Sequence, residues 1–444
     1  MKQRIAGLGL LSVLMLMLFN FSTLDDRVIE VANVDLGIAA SHITDQTTIA
    51  DTTASKSIAT RSTGMTTSKT PTQTSNSKMQ QPKRISDQVK SLSKKHHIVG
   101  MSLAVFRGQD ILYIQSYGYS DKEQNIKANK NTKYRIASIS KAISGMMTMD
   151  LAEKGKIDIN KDISDYIGLK IRSPYYPKTP ITTWNLLTHT SGIIDSNPDF
   201  VRATDVKPFV TLKTIVKGGE FFHKGKPGSR FVYSNFGAGL LAGVIEGATG
   251  KRFYDYAEEA LMKPMGIDAG YIRTKIKDKN NLASMYSGRY RTVNLKKWNR
   301  IESAYSHFPI GQMYLLAHGD LIISAVDLAK LAMLLCNDGS YQGKQIIEKS
   351  AIKKINTPQV KDNGNDAGLT LAMTTSLVKG RKLHGHSGQA YGMVAGMYYD
   401  REDKTGVVFI TNGCDRNKNK TGNYAISYDI LNLVYSKILK SKTS

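Results

Sequence analysis

Three short stretches of the chain carry residue types that complement one another chemically. Ser138, Ile139, Ser140 and Lys141 open an apolar run, Tyr233-Ser234-Asn235 follows about 95 residues on, and His386-Ser387-Gly388 comes about 150 residues later. Together they offer a hydroxyl to attack a carbonyl, an amine to take its proton, a phenol to pass the proton on and a strand edge to hold a substrate. That set suits acyl transfer by a serine with no catalytic histidine.

The first stretch needs its context, because S-x-x-K also arises at Ser75/Lys78, Ser91/Lys94 and Ser350/Lys353. Ser138 differs in preceding Ala142, Ile143, Met146, Met147 and Leu151, a spacing that puts apolar side chains on one helical face. It therefore reads as a helix start, where free N–H groups and the helix dipole favour negative charge. Three-residue spacing brings Lys141 onto the same face as the hydroxyl. The competing reading is a serine N-cap followed by a solvated lysine.

Of the 22 tyrosines only Tyr233 is followed two residues later by asparagine. Around it, Pro227-Gly228, Phe231 to Asn235 and the Gly237 to Gly243 run read as a turn, a short extended piece and a buried helix packed through small residues. A core aromatic with a satisfied hydroxyl is the alternative. His386-Ser387-Gly388 precedes the apolar stretch Met393 to Tyr399, a polar turn from Asp400 to Gly406, and Val407 to Ile410, which is a hairpin signal. The three residues are thus expected on or beside a strand, with Gly388 letting a substrate backbone approach.

In this fixed order the motifs resemble the serine beta-lactamase and penicillin-binding protein superfamily, in the branch of class C beta-lactamases, D-alanyl-D-alanine carboxypeptidases and related esterases. The resemblance runs through most of residues 84 to 440 and includes Leu186 to Gly192, Pro227 to Gly250, Pro264 to Ile267, Ser324 to Ala329, and Gly385 to Gly388 leading to Thr411-Asn412. It implies that Ser138 forms an acyl-enzyme and that Lys141 and Tyr233 share the proton. Asn235 would hold the lysine and offer its amide to the substrate, and His386 and Ser387 would orient the substrate's far end. Backbone N–H groups of Ser138 and Gln389 would form the oxyanion hole. Two positions depart from the pattern: His386 stands where beta-lactamases usually carry lysine, which weakens a beta-lactamase assignment, and Asp320 stands where this branch often has glycine.

Lys2 and Arg4 precede an apolar run from Ile5 to Phe19, so residues 1–24 read as a signal peptide or membrane anchor that places the remainder outside the membrane, secreted or wall-associated. Residues 25–83, dominated from Ser41 by polar side chains, read as a disordered Ser/Thr-rich linker. By the resemblance, residues 84–444 read as the hydrolase domain. Of the formal net charge of +24, residues 1–83 hold eight basic and six acidic side chains, leaving +22 on the domain. No nucleic-acid motif accompanies this charge, and for an exported protein the fitting polyanions are wall polymers and anionic lipids. Cys336 ends an apolar run and reads as core, Cys414 lies at a strand end, and whether they pair is open. No metal spacing is present and no cofactor is implied; His189 reads as a support behind the site.

The expected fold is α+β. Helices around 85–95 and 424–439 flank antiparallel strands, a helix-rich second lobe spans about 138–353, and the active site lies in the cleft between the two. The expected function is hydrolysis, through an acyl-enzyme, of D-alanyl groups of the cell envelope, either a D-alanyl-D-alanine peptide or a D-alanyl ester on teichoic acid. Beta-lactam hydrolysis or trapping is an alternative, as is a non-catalytic wall-binding role on the same fold.

Overall fold

The computed structural model describes residues 83–439, apart from 199, 201–209, 289, 295–304, 306 and 363. The chain divides into two units, Met1–Asn76 and Ser77–Ser444, and all described residues belong to the second. The export segment expected over residues 1–24 and the linker expected over 25–83 lie outside the described residues, except Lys83, which begins the first helix. Among those described, no helix is long and apolar enough to cross a membrane.

Alternation of side chains builds a nine-stranded antiparallel sheet. In spatial order its strands are Val360–Asp362, Asn365–Ala367, Ala372–Thr374, Leu383–Ala390, Met393–Asp400, Thr405–Thr411, Gly100–Arg107, Asp110–Asp121 and Ile126–Lys127. Met101, Leu103, Val105, Val394, Val407 and Phe409 project from one face onto Val89 of the helix Lys83–Lys95 and Ile426, Ile430 and Val434 of the helix Ala425–Lys437. Each such fully buried side chain stabilises the fold by about 1.5–3 kcal/mol relative to exposure. Ala104, Phe106, Met393, Ala395, Met397, Val408 and Ile410 project from the other face into the larger core. Met393–Asp400 is consequently buried at every position.

The expected strand and terminal-helix boundaries hold to within two residues. The helix Ile139–Glu153 differs from expectation: it is buried at every position from Ile139 to Leu151, including Ser140, Lys141, Thr148 and Asp150, rather than on one face. It runs through the middle of the core, so polar residues on it must find internal partners.

The segment between residues 138 and 353 is helix-rich as expected, but it does not form one separate lobe. The helix Ala325–Cys336 packs against the sheet strands Thr405–Thr411, Gly100–Arg107 and Met393–Asp400. Cys336 is buried and Cys414 partly so, and both thiols are free.

Two close approaches position the site. In the helix Asn235–Thr249, added side-chain atoms at Gly239, Gly243 and Gly247 would collide with the carbonyl oxygens of Tyr314, Gly311 and Tyr166. Glycine there lets this helix lie directly against its neighbours. Gly388 likewise lies against the carbonyl of Ile136 and the side chain of Ile139. The backbone that Gly388 admits is therefore the chain's own, which corrects the expectation that its missing side chain makes room for substrate.

Candidate active site

Ser138 sits between the short strand Lys133–Arg135 and the helix Ile139–Glu153 and is that helix's N-cap residue. The residue before it, Ala137, has φ of 47°. This left-handed conformation costs an alanine on the order of 1–2 kcal/mol and makes the sharp turn that presents the serine. The Ser138 side chain makes no capping bond, contrary to the plain N-cap reading. Its hydroxyl accepts a hydrogen bond from Lys141 Nζ at 3.0 Å, and its proximity to the Tyr233 phenol partly offsets the rise that burial imposes on that phenol's pKa.

Lys141 is 0% exposed. Its Nζ donates to Asn235 Oδ1 at 2.8 Å and to the His318 carbonyl at 2.7 Å, in addition to Ser138. Burial is the largest influence on it and pulls its pKa down to about 7; the Asp195 charge opposes this, Arg135 adds to it and Asp320 opposes it. In its neutral form the amine keeps two N–H donors for Asn235 and His318, leaving its lone pair for the serine proton. That is the geometry of a general base.

Tyr233 closes the constellation from the other side. The residue is 41% exposed, presenting its ring to the cleft, while burial around its hydroxyl raises the phenol's pKa above the ordinary value. Lys141 Nζ lies 5.0 Å from the ring centroid. The His189 imidazole stacks at 4.5 Å, tilted by 30°, and its Nδ1 accepts from Ser234 N at 3.3 Å. Burial, with Lys141 and His386 nearby, holds His189 neutral at a pKa of about 3. It supports the tyrosine from behind, as expected.

A residue not singled out from the sequence organises this corner. Asp195 accepts from Asn235 N, Asn235 Nδ2 and Phe236 N, each at 2.9 Å, and from Ser234 Oγ at 3.0 Å. Its carboxylate thus caps the first amides of the helix Asn235–Thr249 and favours the helix dipole. It also takes one of the two hydrogens of the Asn235 amide nitrogen, while Asn235 Oδ1 positions Lys141. Asp195→Ala is expected to lower stability by about 2–3 kcal/mol, the scale of lost hydrogen bonds to a charged group. It should also lower kcat more than it raises KM. Denaturant unfolding together with steady-state kinetics checks both.

His386, Ser387, Gly388 and Gln389 lie on the strand Leu383–Ala390 as expected. The neighbouring strand Ala372–Thr374 pairs only as far as Gly385, so the edge beyond it has no strand partner on that side among the described residues. The edge faces a cleft of about 510 Å³ whose walls include His189, Tyr233, His386, Ser387, Tyr398, Lys418 and Asn423. An extended substrate can add to this edge as a further strand. Gly388's contact with Ile136 brings the edge against the Ser138 turn, and the Gln389 side chain is held outside by Tyr424. The His386 ring lies 6.3 Å from that of Tyr233. Burial and the nearby Lys141 push the His386 pKa down to about 4. Among the described residues no group of three or more His, Cys, Asp or Glu side chains is placed to hold a metal.

The sequence profile of the Beta-lactamase family matches residues 85–428. The chain is 31% identical to Protein flp of Staphylococcus aureus (strain MRSA252) over 191 residues, 42% of this chain and 37% of that protein. It is 32% identical to the D-alanyl-D-alanine-carboxypeptidase/endopeptidase AmpH of Escherichia coli (strain K12) over 175 residues, 38% of this chain and 44% of that protein. The matched region thus spans less than half the length of either relative. The structure of an octameric penicillin-binding protein homologue from Pyrococcus abyssi superposes with a TM-score of 0.63 at 24% identity, covering 80% of this chain and 77% of that one, and shares the fold. With a family match across the whole sheet and the segments that carry Ser138, Lys141 and Tyr233, this chain belongs to the Beta-lactamase family of serine hydrolases.

Proposed function

We propose that the protein is an exported serine hydrolase that removes D-alanyl groups from the cell envelope through an acyl-enzyme on Ser138. The observation carrying this reading is the buried Lys141 amine, 3.0 Å from Ser138 Oγ, with its pKa pulled down to about 7 by burial. Lys141 takes the Ser138 proton as the hydroxyl attacks the carbonyl. Tyr233, beside the same hydroxyl, passes its own proton to the leaving group and takes the one held by Lys141, which leaves the amine neutral again. Backbone N–H groups of Ser138 and Gln389 receive the oxyanion. Water then attacks the acyl-enzyme, Lys141 takes its proton and returns it to Ser138 Oγ as the ester bond breaks, and the acid leaves.

Two D-alanyl substrates remain, each with its own support. A neutral His386 supplies no charge for a terminal carboxylate, which favours a D-alanyl ester on teichoic acid, a polyanion drawn to the domain's +22 charge. The likeness to AmpH favours the D-alanyl-D-alanine peptide. Beta-lactam turnover ranks below both, because penicillins too carry a carboxylate.

With His386 titrating near 4, its charge state does not change between pH 8 and 6, which moves the sensitive window well below the unperturbed value of about 6.5. His386→Lys is expected to tighten a D-alanyl-D-alanine peptide at pH 8 by about tenfold, the scale of one hydrogen bond to a charged group. Ester turnover should stay unchanged or fall. The measurement is D-alanine release from the peptide and from D-alanylated lipoteichoic acid by both proteins at fixed ionic strength, with peptide affinity read on the Ser138→Ala background. Equal responses of the two substrates would remove His386 from the substrate's far end, and no D-alanine from either would end the D-alanyl reading.

A further inference from the structure

Asp320 has no part in the proton path described above, yet it is 6% exposed beside the site. Its Oδ1 lies 2.8 Å from Arg135 Nη2, and the two side chains are 8% and 10% exposed. Arg135 ends the strand that leads into the Ser138 turn. Asp320 ends a loop that begins with His318, whose carbonyl takes the third hydrogen bond of Lys141. The same loop is tied to the lysine's own helix by Leu321 N donating to Ser140 Oγ at 3.1 Å, and to the preceding strand by Ile136 N donating to the Leu321 carbonyl at 3.0 Å. Arg135 also lies over the Tyr391 ring at 5.2 Å, in the turn just after Gln389. One ion pair thus links the nucleophile turn, the lysine's carbonyl acceptor and the end of the open strand.

We propose that the buried Arg135–Asp320 pair is the positioning element of Lys141, fixing the His318 carbonyl against its amine while Asp320 cancels the arginine charge that the amine would otherwise face. The inference rests on reading Lys141 as the base. It goes beyond that reading by assigning the control of that base to two residues that touch neither substrate nor serine. Geometry sets the sign of each residue's effect. A bare Arg135 cation disfavours a second cation at Lys141, and a bare Asp320 carboxylate favours it. The other groups facing Lys141 are Ser138, Tyr233 and Asn235, the Asp195 carboxylate, and the neutral imidazoles of His189, His318 and His386. None of these imidazoles charges above pH 5, so Lys141 governs the rising limb of the pH profile.

The test is kcat/KM for p-nitrophenyl acetate between pH 5 and 9, a substrate with no D-alanyl group, so failure of the D-alanyl reading leaves it intact. In the wild type the rate should rise through about 7. Asp320→Asn should move that limb down by about one pH unit and Arg135→Gln should move it up by about one, the scale of one charge at close range in a protein interior. The Arg135→Gln/Asp320→Asn double variant buries no unpaired charge. It should return the limb to the wild-type position with kcat lowered roughly tenfold at unchanged KM, because the His318 carbonyl is no longer fixed. Asp320→Glu should restore both. A limb that stays put in both single variants, or moves the same way in both, overturns the proposal. If a single variant does not fold, a double variant with wild-type kcat overturns it equally.

Discussion

Ser138→Ala will reduce hydrolysis of every acyl substrate by roughly 10⁴-fold or more, to what binding and oxyanion stabilisation sustain without a nucleophile. Neither of the neighbouring serines Ser140 and Ser234 can replace the lost hydroxyl. Ser140 is fully buried, with its hydroxyl engaged by Leu321 N, and Ser234 Oγ is bound to Asp195. The two described chance matches to the same motif serve as controls. Ser91 Oγ bonds the Asp87 carbonyl on an exposed helix face, and Ser350 Oγ bonds Glu153, so Ser91→Ala and Ser350→Ala should leave the rate within a factor of two. Steady-state kinetics on the three variants checks this, with circular dichroism confirming the fold. A Ser138→Ala protein retaining more than a few per cent of wild-type activity would place the nucleophile elsewhere.

Lys141→Arg keeps a cation at a fully buried position but cannot lose its proton near neutral pH. Activity should fall by at least about 100-fold, the lower end for a general base. The pH profile should distinguish the variant further: the wild-type rise through about 7 reports loss of the lysine proton, so the arginine protein should show no such rise. The direction follows from burial, which disfavours the ammonium and places its deprotonation inside the working range rather than near 10. An arginine variant within a few fold of wild type, with the rise intact, would reduce Lys141 to electrostatic support.

Much of this site was legible because its parts are side-chain types at short spacing: Ser138 with Lys141, Tyr233 with Asn235, and His386 beside a hairpin. The hairpin was legible from apolar runs on either side of a polar turn, Met393 to Tyr399 and Val407 to Ile410, and the last helix from the period-4 pattern of Ile426, Ile430 and Val434. Asp195 was not, because it caps a helix that begins 40 residues later and no local pattern links the two. His318 acts through its carbonyl, which its side chain does not announce. Asp320 stood out in the sequence only as a departure, and its partner Arg135 is 185 residues away. Gly388 was read correctly as a close approach but against the wrong backbone, since strand pattern cannot say what lies across it. The buried helix Ile139–Glu153 misled for a related reason: a helix surrounded by protein needs no polar face, so an apolar stripe understates its burial.

The central claim is a covalent acyl group on Ser138, and the most direct measurement is intact-protein mass spectrometry after rapid acid quench of a D-alanyl substrate, followed by peptide mapping. The account predicts a mass increase equal to the substrate's acyl part, one alanyl group from a D-alanyl ester or the peptide acyl group without its terminal D-alanine from a D-alanyl-D-alanine peptide, carried by the peptide containing Ser138 and absent from Ser138→Ala. Turnover with no adduct at any quench time, or an adduct that persists on Ser138→Ala, would contradict it.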